Sequence, residues 1–191
     1  YLLFLNSGDY LVNETVLEDV FSTSHNASFL LGRCNVSDNG FVVHTIIPPS
    51  KVTFGFLYFA GLAHQSTFIK REMFLKYGYY REDFRYNSDI EFWYRKIILN
   101  CCSTETLTTI ISDYNKDGIS SKESKSDGYL NELAVIYSHP MLQLFVPDYE
   151  AWKTERNKME IFFWVKNKKI LYNMVKIFYA IAVRHNKYKR K

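Results

Sequence analysis

Residues Tyr1 to Leu5 form an apolar run without alternation that stops abruptly at Asn6-Ser7-Gly8-Asp9. A strand covered on both faces has this composition, because neither face meets water. Such a strand needs neighbours on both edges and rarely comes first in an isolated fold. The run therefore predicts that the chain is the later part of a larger domain, with a chemically important loop where the strand ends.

Downstream, strand and helix patterns alternate. Asn13 is placed to cap a helix over residues 14–22. Two extended stretches, 27–36 and 41–47, flank the turn-forming Ser37-Asp38-Asn39-Gly40. An apolar stretch at 52–62 leads to His64-Gln65-Ser66, and a short helix fits 66–76 with Gly78 at its C-terminal end. Ser88-Asp89-Ile90-Glu91 has capping-box spacing, so Ser88 and Glu91 are expected to satisfy each other's amides at the start of a helix. Ile90, Trp93, Tyr94, Ile97, Ile98 and Cys101 give that helix a buried stripe. Residues 103–114 alternate as a strand, 128–139 read as a helix, and the pattern is helical from Tyr149 to the end. The expected class is α/β: a mixed sheet flanked by helices with a C-terminal amphipathic helical segment. With 47% hydrophobic and 17% aromatic residues and only 4 Pro and 8 Gly, the chain is not a disordered or low-complexity one. Cys34, Cys101 and Cys102 lack disulfide or metal spacing and read as small hydrophobes in a reducing compartment.

Four short stretches could carry chemistry. Ligands of open α/β sheets sit beyond the carboxyl ends of strands. There Gly8 would let the backbone approach a phosphate, Asn6 and Ser7 could hydrogen-bond it, and Asp9 could hold a hard divalent ion. The plainer reading is a turn, since these are the common turn residues. Asp89 falls in the first turn of its helix, where the dipole favours an ionised carboxylate able to take a proton from a hydroxyl. The plainer reading of Asp89 taken alone is ordinary helix-start chemistry, which needs no function. His64-Gln65 is either a local polar pair or part of a site, and Asp117-Gly118-Ile119-Ser120 is by default a loop.

Taken in order, the apolar strand ending in NSGD, then HQSTFIKREMFLKYGYY, NSDIEFWYRK and DYNKDGIS resemble the family-2 glycosyltransferases of the GT-A fold. The likeness is to bacterial enzymes of surface-polysaccharide synthesis and covers roughly residues 1–120. It implies a partial GT-A catalytic domain over residues 1–148, followed by a basic helical extension over 149–191. It also implies that Asp9 holds Mn²⁺ or Mg²⁺ against the diphosphate of a nucleotide-sugar. Asn6, Ser7 and Gly8 would contact the donor, with Gly118 and Ser120 in a loop that closes over it. His64 and Gln65 would lie near the acceptor, and Asp89 would be the general base of an inverting transfer. Asn6 stands where the family has its first acid and Gly8 where many relatives have a second, so metal binding would rest on Asp9 and the phosphates. The family's N-terminal nucleotide-binding units have no counterpart before Tyr1.

From Lys166 onward the chain is rich in Lys and Arg without an acid. Met159, Phe162, Phe163, Ile170, Leu171, Met174, Ile177, Phe178 and Ile181 recur at helical spacing among these cations. Such a helix suits either the surface of an anionic membrane or packing on the domain with solvated lysines. Nucleic acid is not expected as a partner, because no aromatic-basic interleaving accompanies the charge. The reading is a cytoplasmic enzyme, peripheral at the inner face of the plasma membrane where the tail binds lipid. It would act on a glycan or lipid-linked glycan acceptor. The alternative is a non-catalytic, membrane-associated binding or scaffold module. A metal-dependent nucleotidyltransferase ranks last, since it needs a second carboxylate near Asp9.

Overall fold

The structure, a computed structural model, describes residues 1–115, 126–158 and 164–188. The chain divides into two units, Tyr1–Phe145 and Val146–Lys191.

The first unit is built on a mixed, open sheet flanked by helices. Its strands are β1 (Tyr10–Leu11), β2 (Phe29–Asp38), β3 (Phe41–Ile46), β4 (Thr67–Ile69) and β5 (Thr104–Asn115). β2 is the central strand. It pairs in parallel with β5 along one edge, and β1 adds to the far side of β5 in antiparallel fashion. Its other edge is shared, with β4 opposite Phe29–Leu31 and β3 opposite Cys34–Asp38, both antiparallel. β2 and β3 form a hairpin in which Asp38 pairs with Phe41, leaving Asn39-Gly40 as the loop. Both loop residues have positive φ, 50° and 80°, as a primed turn requires.

The helices of this unit are α1 (Val16–Phe21), α2 (Phe54–Phe59), α3 (Glu72–Tyr77), α4 (Ser88–Trp93), α5 (Asp127–Tyr137) and α6 (Pro140–Gln143). α4 continues into a π-helical stretch, Tyr94–Leu99. Phe29, Leu30, Leu31, Phe68, Ile111, Phe92 and Trp93 are buried in the core. Phe29 meets Phe92 and Trp93 edge-to-face, with ring centroids 6.3 and 5.8 Å apart. Gly32 is needed at the centre of β2, because a Cβ there would stand 2.1 Å from Ile111 Cγ1 and 3.2 Å from the Ser66 carbonyl oxygen.

Three local expectations change in the folded chain. Residues 1–5 are not a strand covered on both faces. Leu2 alone bridges to Ile69, and Tyr1, Leu2, Phe4 and Leu5 remain 37–41% exposed. The segment lies along the outer edge of β4 and has no further strand beyond it among the described residues. The helix expected over 66–76 begins only at Glu72. Thr67-Phe68-Ile69 instead completes the edge of β2, where β-branched and aromatic side chains fit a pleated, buried surface. Finally, the wider π-helical turn shifts the buried stripe after Tyr94, so that Lys96 is buried and Cys101 is exposed. Lys96 Nζ reaches the carbonyls of Tyr77 and Gly78, closing the end of α3. Burial, followed by the nearby Arg95 charge, pulls its pKa down to about 8.

The second unit contains α7 (Val146–Lys158) and α8 (Lys169–Tyr188). α8 carries no acidic residue, and Ile170, Ile177, Phe178 and Ile181 are exposed along it. No helix among the described residues is long and apolar enough to cross a membrane. Met159, Phe162 and Phe163 lie outside the described residues.

Candidate functional site

Asn6-Ser7-Gly8-Asp9 is a tight turn. The Asp9 N–H donates to the Asn6 carbonyl at 3.0 Å, and Gly8 sits at φ 96°, a conformation that excludes most other residues. The turn sends its two polar ends different ways. Asp9 turns toward the end of β5, where Oδ1 accepts from the Asn115 N–H at 3.4 Å. Asn6 turns toward His64, with its amide nitrogen 3.0 Å from Nε2. Ser7 is exposed and joins neither contact.

His64 opens a 3₁₀ turn, His64–Ser66, held from beneath by buried hydroxyls. Ser66 Oγ donates to the Arg33 carbonyl at 3.0 Å and lies 2.6 Å from Ser112 Oγ, while Thr67 Oγ1 donates to the Ala63 carbonyl at 2.8 Å. These bonds tie the turn to β2 and β5 and fix where the imidazole emerges. Gln65, its neighbour, is buried away from the imidazole's cavity.

On the other side of the ring, His64 Nδ1 faces Asp89 Oδ2 at 3.4 Å. An NH₂ group can only donate, so with the Asn6 amide oriented this way Nε2 accepts and the ring proton sits on Nδ1, toward the carboxylate. Asp89 Oδ1 accepts from the Ile90 N–H at 2.8 Å, which leaves Oδ2 toward His64. Asn6, His64 and Asp89 therefore form one connected line, although the first two are 58 residues apart in sequence.

The line borders a cavity of about 260 Å³ whose walls include Phe4, Tyr80, Tyr86 and Arg85. Burial pushes the Tyr80 phenol up, and the Asp89 charge adds to it; the same two causes act on Tyr129. Both phenols therefore stay protonated beside the carboxylate. Tyr80 packs on Phe92 and Phe4 with centroids 4.5 and 5.5 Å apart, which joins the cavity wall to the core. The expected exchange between Ser88 and Glu91 does not form. Asn87 is the N-terminal flanking residue and makes no side-chain cap bond. Glu91 instead binds Arg95 through two contacts of 2.6 and 2.8 Å, and Arg95 continues to the Tyr77 and Tyr79 carbonyls.

For a metal, Asp9 has capacity: its Oδ2 is buried and has no hydrogen-bond partner, and the same holds for Asp113 Oδ1 on β5. Small hard cations are often held by one or two carboxylates plus substrate phosphates, so a single free carboxylate oxygen fits that pattern. Among the described residues no group of three or more His, Cys, Asp or Glu side chains forms a metal cluster. Gly118 and Ser120 lie outside the described residues.

Sequence reasoning passed over Tyr80, a cavity wall, and Asp113, a carboxylate in β5 that is 5% exposed with Oδ1 unpartnered. It also missed Glu132 on α5, whose carboxylate accepts from three backbone amides before Asp89. The run of Tyr79-Tyr80 between two helices was the one available hint. Comparison of the chain with protein-family models, curated proteins and solved structures returns no match.

Proposed function

We propose that the first unit is part of a GT-A glycosyltransferase that moves a sugar from a nucleotide-sugar to a hydroxyl of a glycan or lipid-linked glycan. The observation that supports this most is the Asn6–His64–Asp89 line beside an aromatic-walled cavity. Asn6, His64 and Asp89 lie in three separate stretches of the sequence, and they meet at one place.

In this reading the acceptor lies against Phe4, Tyr80 and Tyr86, whose ring faces suit the C–H faces of a sugar. The acceptor hydroxyl points at Asp89. As its oxygen forms a bond to the anomeric carbon, the bond to the nucleoside diphosphate breaks on the opposite face, and the hydroxyl proton passes to Asp89. His64, with its proton on Nδ1, holds the carboxylate toward the acceptor, and Asn6 fixes the ring's tautomer from the other side. A divalent ion held at Asp9 would neutralise charge on the departing diphosphate. Such transfer inverts the anomeric centre.

The test is calorimetric titration of UDP and GDP, with and without Mn²⁺, into this chain and into a version extended upstream. Metal-dependent binding that Asp9→Asn abolishes is the expected result. Absence of binding in both versions overturns the donor half of the reading.

A second reading is favoured by α8. Its apolar side chains are exposed, its charges are all positive, and an anionic lipid surface complements both. A membrane-associated module would pellet with phosphatidylglycerol vesicles, less so at high salt, and would do so equally with Asp9→Ala. Failure to pellet with anionic vesicles at low salt removes this reading.

A further inference from the structure

Asp89 lies two residues beyond a segment whose backbone is held by a side chain from far along the chain. The Glu132 carboxylate, on α5, accepts from the Arg85 N–H at 2.7 Å, the Tyr86 N–H at 3.0 Å and the Asn87 N–H at 2.8 Å. The Asn87 side-chain amide adds a fourth bond to Oε2 at 3.2 Å and also donates to the Tyr129 carbonyl at 3.0 Å. Three consecutive amides converging on one carboxylate make an anion-binding nest, and here the anion is internal.

The surroundings are fitted to this contact. α5 is started by Ser126, whose Oγ accepts from the Tyr129 N–H at 3.2 Å. Gly128 sits against Tyr86 so closely that a Cβ would lie 2.9 Å from the ring. α4 lacks a side-chain cap of its own, so the entry into it is fixed by α5. Burial alone would raise the Glu132 pKa, but the Arg85, Asn87 and Tyr86 amides and the Asn87 side chain together hold it below the ordinary value. The carboxylate is therefore charged throughout the neutral range, and its bonds are charge-assisted.

We propose that Glu132 is the positioning residue for Asp89: its carboxylate clamps Arg85-Tyr86-Asn87 and so sets the angle at which α4 presents Asp89 to His64 and the cavity. This deepens the transferase reading and rests on Asp89 being its base. Glu132 touches no reacting group. Its effect is geometric, and displacement of a reacting group by an ångström is enough to cost about 100-fold in rate.

The experiment compares Glu132→Ala and Glu132→Gln with the wild-type chain in its upstream-extended form. Three quantities are measured: amide hydrogen exchange, the NMR signals of the His64 ring, and transfer kinetics. In Glu132→Ala, exchange at Arg85, Tyr86 and Asn87 should accelerate while β2 and β5 keep their protection. The His64 signals should shift, and kcat should fall about 10- to 100-fold with the donor KM changed less than about twofold. Glu132→Gln retains one acceptor oxygen and should recover part of each loss. Should the alanine variant not fold, the isosteric glutamine carries the same comparison. Unchanged His64 signals, or an unchanged kcat despite faster exchange, overturns the proposal. If wild-type protein transfers no sugar, the base assignment falls separately. The exchange and His64 signals then still decide whether Glu132 positions Asp89.

Discussion

His25 and His64 each stand beside a carboxylate, but one pair ties two elements together and the other borders a cavity. His25 has oxygen acceptors at both ring nitrogens, Glu105 Oε1 at 2.7 Å from Nδ1 and the Val20 carbonyl at 2.7 Å from Nε2. Two acceptors favour the doubly protonated ring, and the two contacts lock it between α1 and β5. His64 has a carboxylate at 3.4 Å on one side and an amide donor on the other. Its side chain is 23% exposed against 6% for His25, and it borders a cavity. The first pair ties α1 to β5 through both ring nitrogens. The second keeps a carboxylate oxygen within reach of something that enters the cavity. Residue type is the same in both, so the difference in role lies in what surrounds each pair.

The largest effect that would break this contrast is on transfer. Asp89→Asn in the extended protein should lower kcat by about 10²- to 10⁴-fold while nucleotide affinity, measured by calorimetry, hardly changes. Glu105→Gln, at the other pair, should leave kcat within about twofold. Equal losses from both variants would erase the functional distinction between the two histidines.

Stability should move the opposite way. His25→Gln is expected to cost about 1–3 kcal/mol in urea unfolding, because it removes charge-assisted bonds to Val20 and Glu105. His64→Gln, at a half-buried position beside the cavity, should cost less than about 1 kcal/mol.

The smallest effect is the pH signature. The Val20 carbonyl, opposed by burial and helped by Glu105, raises the His25 pKa above its ordinary 6.5. The folded state then holds a proton that the unfolded state has released. Stability from this pair is complete below 6.5 and is lost as pH rises through the raised value. The unfolding midpoint should decline across that window in wild type and become flat there in His25→Gln.

Particular residues show what was legible in the sequence. The hairpin turn at Asn39-Gly40 and the strand over 104–115 follow from local turn chemistry and alternation, and both are present. Val16–Phe21 and Asp127–Tyr137 were likewise readable as helices, to within a few residues at their ends. The segment at 67–69 is decided by its neighbour: the free edge of β2 takes a stretch whose local pattern suits a helix. The same holds for Glu91, which satisfied the capping-box spacing but found Arg95 four residues on, a stronger partner than a backbone amide.

By itself the sequence determined the class of the fold, several of its strands and helices to within a few residues, and which side chains had the chemistry for a site: Asn6, His64, Asp89 and Asp9. Tertiary structure alone decided that Asn6, His64 and Asp89 form one line, that Asp9 turns toward β5, and that Glu132 holds the segment before Asp89. Periodicity and capping are short-range and repeat every few residues, so they can be read along the chain. A contact across 45 or 58 residues leaves no such trace, because it exists only once the sheet has closed the distance between its partners.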